Sequence, residues 1–316
     1  MYAGVGLFKA SDEVSRDEWA TFVKELRIQD IFPGIQGVGF SLVIRPDELQ
    51  SHIQQIKDEG FEDYTIRPDG DRELYTSIIY LEPFDARNKR AFGYDMYSES
   101  MRNQAMKRAV LTNSVALSGK VELVQEDGKD VQAGFLIYTP LYKKSMPITT
   151  AEERQKAING FVYAPFRAKD FIKGVMGDQL DFIHLKIYDG DKIDENRLLF
   201  HSDERDDHQR YFNSVKHLNF AGNSWTLEFD ALDGFENYSD VNFWIYLFFF
   251  MGILLSAFVM IVLNQFKKEE SLKLEAISRQ KENLEEEVKS RIKEIEKSEK
   301  MLKAIYEVLP VGISVT

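Results

Sequence analysis

The run from Phe243 to Leu263, FWIYLFFFMGILLSAFVMIVL, holds 21 residues without a charge, and it limits the fold more than any other feature of the chain. At about 1.5 Å per residue, a helix of that length crosses a hydrocarbon core about 30 Å thick. A buried helix of a soluble core is the alternative. It is disfavoured because the run is apolar on every face and carries Trp244 and Tyr246 at one end, where interfacial aromatic residues belong. Asp240 precedes the run and Lys267 and Lys268 follow it. The positive-inside rule therefore places the lysine side in the cytoplasm, residues 1–240 outside as a periplasmic or extracellular domain, and residues 241–264 in the inner (plasma) membrane. An acidic domain of that size does not cross a membrane unaided, yet residues 1–20 contain neither a signal peptide nor a first span. The expectation is that the natural protein begins earlier, with a membrane helix ahead of Met1.

The net charge of -12 lies before the tail, because residues 264–316 hold 11 Lys and Arg against 11 Glu and no Asp. An acidic outer domain argues against nucleic acid as a partner. With 0 cysteines the chain has no disulfide framework, no cysteine-ligated zinc and no thiol nucleophile.

From Lys267 to Leu309 the tail contains neither Gly nor Pro, and a heptad register fits it. Leu274, Lys281, Val288, Ile295, Leu302 and Leu309 take the a positions. Ile277, Leu284, Arg291, Ser298 and Ile305 take the d positions. This predicts a cytoplasmic coiled-coil signalling helix over 265–309 that forms a homodimer. Lys281, Arg291 and Ser298 weaken the middle of its seam, which brings two packings closer in energy. Pro310 ends the helix, and VGISVT reads as a following strand.

The outer region alternates short helices and strands. SRDEWATFVKEL opens with a capping box, Ser15 with Glu18, and sets Trp19, Phe22, Val23 and Leu26 on one face. VGFSLVI reads as a strand, with Pro46 opening the next helix. ELYTSIIYLEP is another strand, and a helix follows over about 99–110. The stretch from Asn113 to Tyr142 reads as two long strands around the turn Asp127-Gly128. GFVYAPFR, DFIHLKIYDG, RLLFHS, YFNSVKHLNF and SWTLEFDA are further strands, and AKDFIKGVM a helix. The fold class is α+β, antiparallel sheet with flanking helices, occurring twice.

The ordered set FPGIQGVGF, EGFEDYTIRP, YLEP, FGYDMYSES, ALSGKVELVQEDG, GFLIYTPLYKK and GFVYAPFR resembles the CHASE domain family over about residues 4–235. These are extracellular sensor domains of receptor kinases and related signalling proteins. LKAIYEVLPVGISVT resembles the opening of a PAS domain. The CHASE resemblance implies tandem PAS-like subdomains, a distal one at about 30–158 and a proximal one at about 159–235, with a small-molecule ligand in the distal one. It also implies that Asp95 contacts the ligand, that Leu111 and Thr112 contribute backbone, and that Phe135, Ile137 and Thr139 line the pocket. NSVALSGKVELVQEDG is closer to bacterial members than to the cytokinin-sensing plant members, which leaves the identity of the ligand open. The output implied beyond Thr316 is a histidine kinase of a two-component system, with a diguanylate cyclase as the second choice.

From the residues alone, Asp95 is either a cap ahead of the helix containing Met101 to Arg108 or a ligand contact, with Ser98 or Ser100 better placed as cap. An ionised Asp among aromatic residues selects donors such as an amine or a protonated ring nitrogen. Tyr75, Tyr80 and Tyr138 are weaker candidates, since aromatic residues on strands are more often plain core. HSDERDDH, residues 201–208, invites a metal hypothesis through His201, Asp203, Asp206, Asp207 and His208, but it lacks a helical histidine pair. DGDKIDENRLLF has Ile193 and Phe200 where a calcium loop needs other residues. With no nucleophile elbow, phosphate loop or zinc-protease motif, no catalytic residue, cofactor or metal ion is assigned. The rival readings are a membrane-tethered outer enzyme and a protein-interaction module.

Overall fold

The structure, a computed structural model, describes residues 1–126, 128, 130–202, 213–232 and 241–308, in two units, Met1–Tyr238 and Ser239–Thr316. Helix α1 (Tyr2–Ala10) opens the first unit. The capping box then forms as the sequence predicts. Ser15 accepts from the Glu18 amide while the Glu18 carboxylate accepts from the Ser15 amide at 2.8 Å, starting α2 (Arg16–Glu25). Trp19 is fully buried and packs on Phe8, Phe22 and Tyr80. A short α3 (Ile28–Ile31) leads to β1 (Val38–Ile44), and α4 (Leu49–Asp58) follows the turn opened by Pro46.

Among the described residues, two antiparallel sheets organise the unit. The first holds β1, β2 (Tyr75–Glu82), β3 (Ala116–Leu117), β4 (Val121–Glu122), β5 (Ala133–Tyr142) and β6 (Ile158–Arg167), in the order β2-β1-β6-β5-β3, with β4 also on β5. Helices α5 (Ser100–Thr112) and α6 (Ala151–Ala157) serve this sheet, and α7 (Ala168–Met176) follows β6. The second sheet holds β7 (Ile183–Asp189), β8 (Leu198–His201), β9 (Asn213–Phe220) and β10 (Asn223–Ala231), in the order β8-β7-β10-β9. In each sheet the first and last strands of the set lie side by side at the centre, so neither sheet closes until its last strand is in place.

Two sequence expectations change here. The boundary at 158/159 puts GFVYAPFR in the second subdomain. As β6 it runs between β1 and β5 of the first sheet, pairing Phe40 with Val162 and Tyr138 with Tyr163. Its alternating side chains are buried on both faces, as a central strand requires. The long strand expected after Asn113 is instead two short pieces, β3 and β4. Ser118 still bonds Leu136 of β5, but Gly119 and Lys120 leave the ladder as the Lys120 amide turns to Asp189 of the second sheet, at 3.0 Å. Asp127, the first residue of the expected turn, lies outside the described residues, while Gly128 has the positive φ (82°) that such a turn needs.

Asp189, 1% exposed, joins the two sheets. Its carboxylate accepts from the Lys120 amide, from Arg197 at 2.8 Å and from Asn223 at 2.8 Å, and Asn223 also donates to the Ser118 carbonyl. The Leu117 amide bonds the Ala221 carbonyl in the β9–β10 turn, and the Arg108 guanidinium lies against Gly222 there.

In the second unit, α8 (Val241–Val308) is one continuous helix of 68 residues that carries the apolar run directly into the heptads. From Phe243 onward it is long and apolar enough to cross a membrane. The a and d residues from Leu274 to Ile305 lie on it; Leu309 and the PAS-like start at 310–316 lie outside the described residues.

A buried relay ties α4 to β2. His52 Nε2 meets the Tyr64 hydroxyl at 2.9 Å, and that hydroxyl meets Ser77 Oγ at 2.6 Å. Burial lowers the His52 pKa from its ordinary value and pushes the Tyr64 phenol up to about 12. An imidazole harder to protonate folded than unfolded adds stability above its unfolded pKa of about 6.5, and loses it as pH falls toward the folded value. Between about pH 8 and about pH 5, the melting temperature of the outer domain is therefore expected to fall further in the parent than in His52→Gln. Parallel melting curves would assign the acid sensitivity to other groups.

Candidate ligand-binding site

FGYDMYSES follows β2 and runs back across its end. The Arg67 carbonyl accepts from the Asp95 amide at 2.7 Å, and Ile78 exchanges hydrogen bonds with Gly93 and Tyr94. Gly93 takes φ 79°, and a side chain there would meet the Thr65 carbonyl at 2.3 Å, so only glycine fits the turn. This places Asp95 beside Thr76 on β2 with no exposed surface.

The carboxylate is used unevenly. Oδ1 accepts from the Thr76 amide at 2.8 Å, the Thr76 hydroxyl at 3.0 Å and the Tyr97 amide at 3.0 Å. Oδ2 faces Arg72 Nε at 3.2 Å, an ion pair outside hydrogen-bonding alignment, and receives no hydrogen bond. Asp95 therefore caps, but not the helix expected: it caps the short turn Met96–Ser98. The cap of α5 is Glu99, whose carboxylate accepts from the Met101 and Arg102 amides, rather than Ser98 or Ser100. Glu99 succeeds because its two oxygens reach both amides while Ser98 turns back to the Asp95 carbonyl.

One face of the first sheet packs against this segment. Leu136, Tyr138, Phe161 and Tyr163 form a core with Met96 and with Ala105, Met106 and Ala109 of α5. Tyr97 lies near Phe161, and its hydroxyl pKa is raised by burial and then by the Asp95 charge. Tyr138 directs its hydroxyl at Met96 Sδ, and the Tyr163 ring lies on Gly39, where a side chain would collide at 2.5 Å. The Ser41 and Tyr163 hydroxyls are buried without a hydrogen-bond partner in the protein.

The other predicted contacts divide. Phe135 and Ile137 join the opposite core, Phe135 stacking on Phe166 and meeting Trp225 edge-on. Thr139 shares that face by strand alternation, and its buried hydroxyl also lacks a partner. Tyr75 belongs to the same opposite core, its hydroxyl on the Gly70 carbonyl and its ring 5.6 Å from the Arg72 guanidinium. Leu111 and Thr112 end α5. The Leu111 carbonyl accepts from Arg154 at 2.5 Å and the Thr112 hydroxyl bonds Arg108 and Ser114. The fold thus gathers Asp95 with Thr76, Arg72 and Tyr97, and sets Phe135, Ile137 and Thr139 across the sheet from its aromatic core.

Local sequence pattern does not distinguish Arg72 or Thr76. PDGDRE reads as a solvated loop, and its one available signal is a lone cation three residues ahead of a strand. Clefts of about 670, 640 and 610 Å³ open between α2 and β1, around Phe61 and Phe92, and between β4 and β8; Asp95 lines none of the three. Among the described residues no three His, Asp or Glu side chains are placed to hold a metal ion; Asp203, Asp206, Asp207 and His208 lie outside them.

Residues 12–200 match the family model of the CHASE domain. Among solved structures, the periplasmic sensory domain of the Campylobacter jejuni chemoreceptor Tlp1 is similar over 72% of this chain and 83% of its own, at 8% identity and a TM-score of 0.40. No curated protein matches the chain.

Removing Asp95 separates its two uses. Asp95→Ala strands the Thr76 amide and hydroxyl, while the Tyr97 amide keeps Thr76 Oγ1 at 2.9 Å, and is expected to destabilise the outer domain by about 3–5 kcal/mol. Asp95→Asn keeps an oxygen for Thr76 and Tyr97 and is expected to lose about 1–2 kcal/mol, because the partly exposed Arg72 regains water. Urea titration followed by tryptophan fluorescence measures both. Equal losses would mean that the charge, not the acceptor, holds the segment.

Proposed function

Because the chain belongs to the CHASE domain family, we propose that it is the ligand-sensing and signal-transmitting part of a membrane receptor. Residues 1–240 bind a small molecule outside the cell or in the periplasm. The span at 241–264 crosses the inner membrane, and the helix over 265–309 dimerises in the cytoplasm as a coiled coil. The output beyond Thr316 is a histidine kinase, with a diguanylate cyclase as the alternative. The observation that carries the binding reading is the Asp95 carboxylate: wholly buried, beside an aromatic core, with one oxygen that receives no hydrogen bond. A buried acceptor left in that state is a place for a donor brought by a ligand. The unbroken helix from Val241 to Val308 supports the transmission reading, since rotation or sliding at one end of a stiff rod is delivered to the other.

A thermal-shift screen of the full chain in detergent against small amines, purines and amino acids tests the binding reading. A ligand at a hundred times its dissociation constant stabilises by about 2.7 kcal/mol, and that gain is expected to disappear in Asp95→Asn. Hits that stabilise the variant as much as the parent would remove Asp95 from the site.

Cysteine crosslinking along 274–305 in membranes tests transmission. Efficient crosslinks are expected at Leu274, Ile277, Leu284 and Val288, with the pattern shifting near Lys281 and Arg291 when a hit is added. An identical pattern with and without ligand would exclude switching through the coil.

A further inference from the structure

Arg72 lies in the loop Pro68–Glu73, whose other residues are all exposed, and is itself about one-fifth exposed. The loop sequence PDGDRE offers Asp69, Asp71 and Glu73 as immediate acidic neighbours, yet the guanidinium reaches inward to Asp95. It is also held at the Gly70 carbonyl, 2.9 Å away, and over the Tyr75 ring. The contact with Asp95 is looser than an optimal one. Nε stands 3.2 Å from Oδ2 without hydrogen-bonding alignment, where a charge-assisted bond closes to about 2.7–2.9 Å. Opposite charges thus face each other at the edge of a buried segment, one with an unfilled acceptor and the other on an exposed loop.

Resting on the reading that Asp95 contacts the ligand, we infer that Arg72 is the second half of the same site and that the ligand is a zwitterion of the free α-amino acid class. The ammonium group donates to Asp95 Oδ2, and the carboxylate accepts from the guanidinium, whose planar fork suits two oxygens. One loose ion pair is replaced by two charge-assisted ones, and the net charge of the site stays zero. A ligand with the cation alone would separate Arg72 from Asp95 and leave the guanidinium without its counter-charge; one with the anion alone would strand the buried carboxylate. The second penalty is severe because Asp95 is fully buried; the first is smaller, since Arg72 regains water, and consists of the lost charge-assisted pair that only a ligand carboxylate restores.

The test uses the full chain in nanodiscs and compares the standard L-amino acids with their decarboxylated amines and their deaminated acids, by thermal shift and calorimetry. At least one amino acid is expected to bind the parent about tenfold or more tighter than its amine or its acid. Arg72→Gln is expected to abolish that preference, leaving amino acid and amine equal, and Arg72→Lys to restore part of it. Asp95→Asn is expected to weaken the amino acid by about tenfold or more. Because Arg72 sits on an exposed loop, its variants test the idea even where Asp95→Asn fails to fold. An amine or purine that binds the parent as well as any amino acid, or an amino acid indifferent to Arg72→Gln, overturns the zwitterion inference and leaves Asp95 as a donor-selecting contact. No compound of any class whose effect depends on Asp95 overturns both.

Discussion

A carboxylate taken out of water must be surrounded by donors, and Asp189 and Asp95 are two places in the outer domain where this happens. Asp189 is met by a backbone amide, a guanidinium and a carboxamide drawn from both sheets, so its burial is possible only when the sheets are joined. That requirement takes Gly119 and Lys120 out of the first sheet's ladder and brings the β9–β10 turn against Leu117 and Arg108. Asp95 meets the same demand within one sheet, but only for one oxygen. One carboxylate is saturated and the other half-saturated, which is the physical difference between them.

Strand alternation decides how far the candidate site extends. β5 and β6 are central and buried on both faces, so each contributes to two cores. Leu136, Tyr138, Phe161 and Tyr163 face α5 and Met96, while Phe135, Phe166 and Ala164 face the other way. A motif quoted as a continuous string, such as GFLIYTPLY, cannot say which half of its residues meets a given ligand. Because α5 starts just after the Asp95 segment and its Arg108 reaches the β9–β10 turn, one helix packs beside both regions.

Much of the fold was legible because it rests on local rules. The Ser15–Glu18 box, the strands over 38–44 and 183–189, and the helix over 168–176 follow from capping and periodicity within a few residues. The misplacement of β6 and the breaking of the strand after Asn113 were not legible, since both depend on partners far along the chain: β1 for the one and Asp189 for the other. The site divides in the same way. Asp95 was marked by its aromatic neighbours and by family resemblance, whereas Arg72 stood in a loop of ordinary polar composition. Its contact with Asp95 exists only because its loop leads into β2, which bridges to residue 95.

By itself the sequence determined the membrane-length apolar run, the helical register that continues it and the two-sheet α+β class, because length, charge and period are properties of neighbouring residues. Tertiary structure alone decided that β6 closes the first sheet, that Phe135, Ile137 and Thr139 turn away from Asp95, and that Arg72 faces it. The reason is physical. Which face a side chain occupies and which charge it meets are fixed by pairing between distant strands, and the desolvation that makes Asp95 chemically distinctive comes into being only when that pairing is complete.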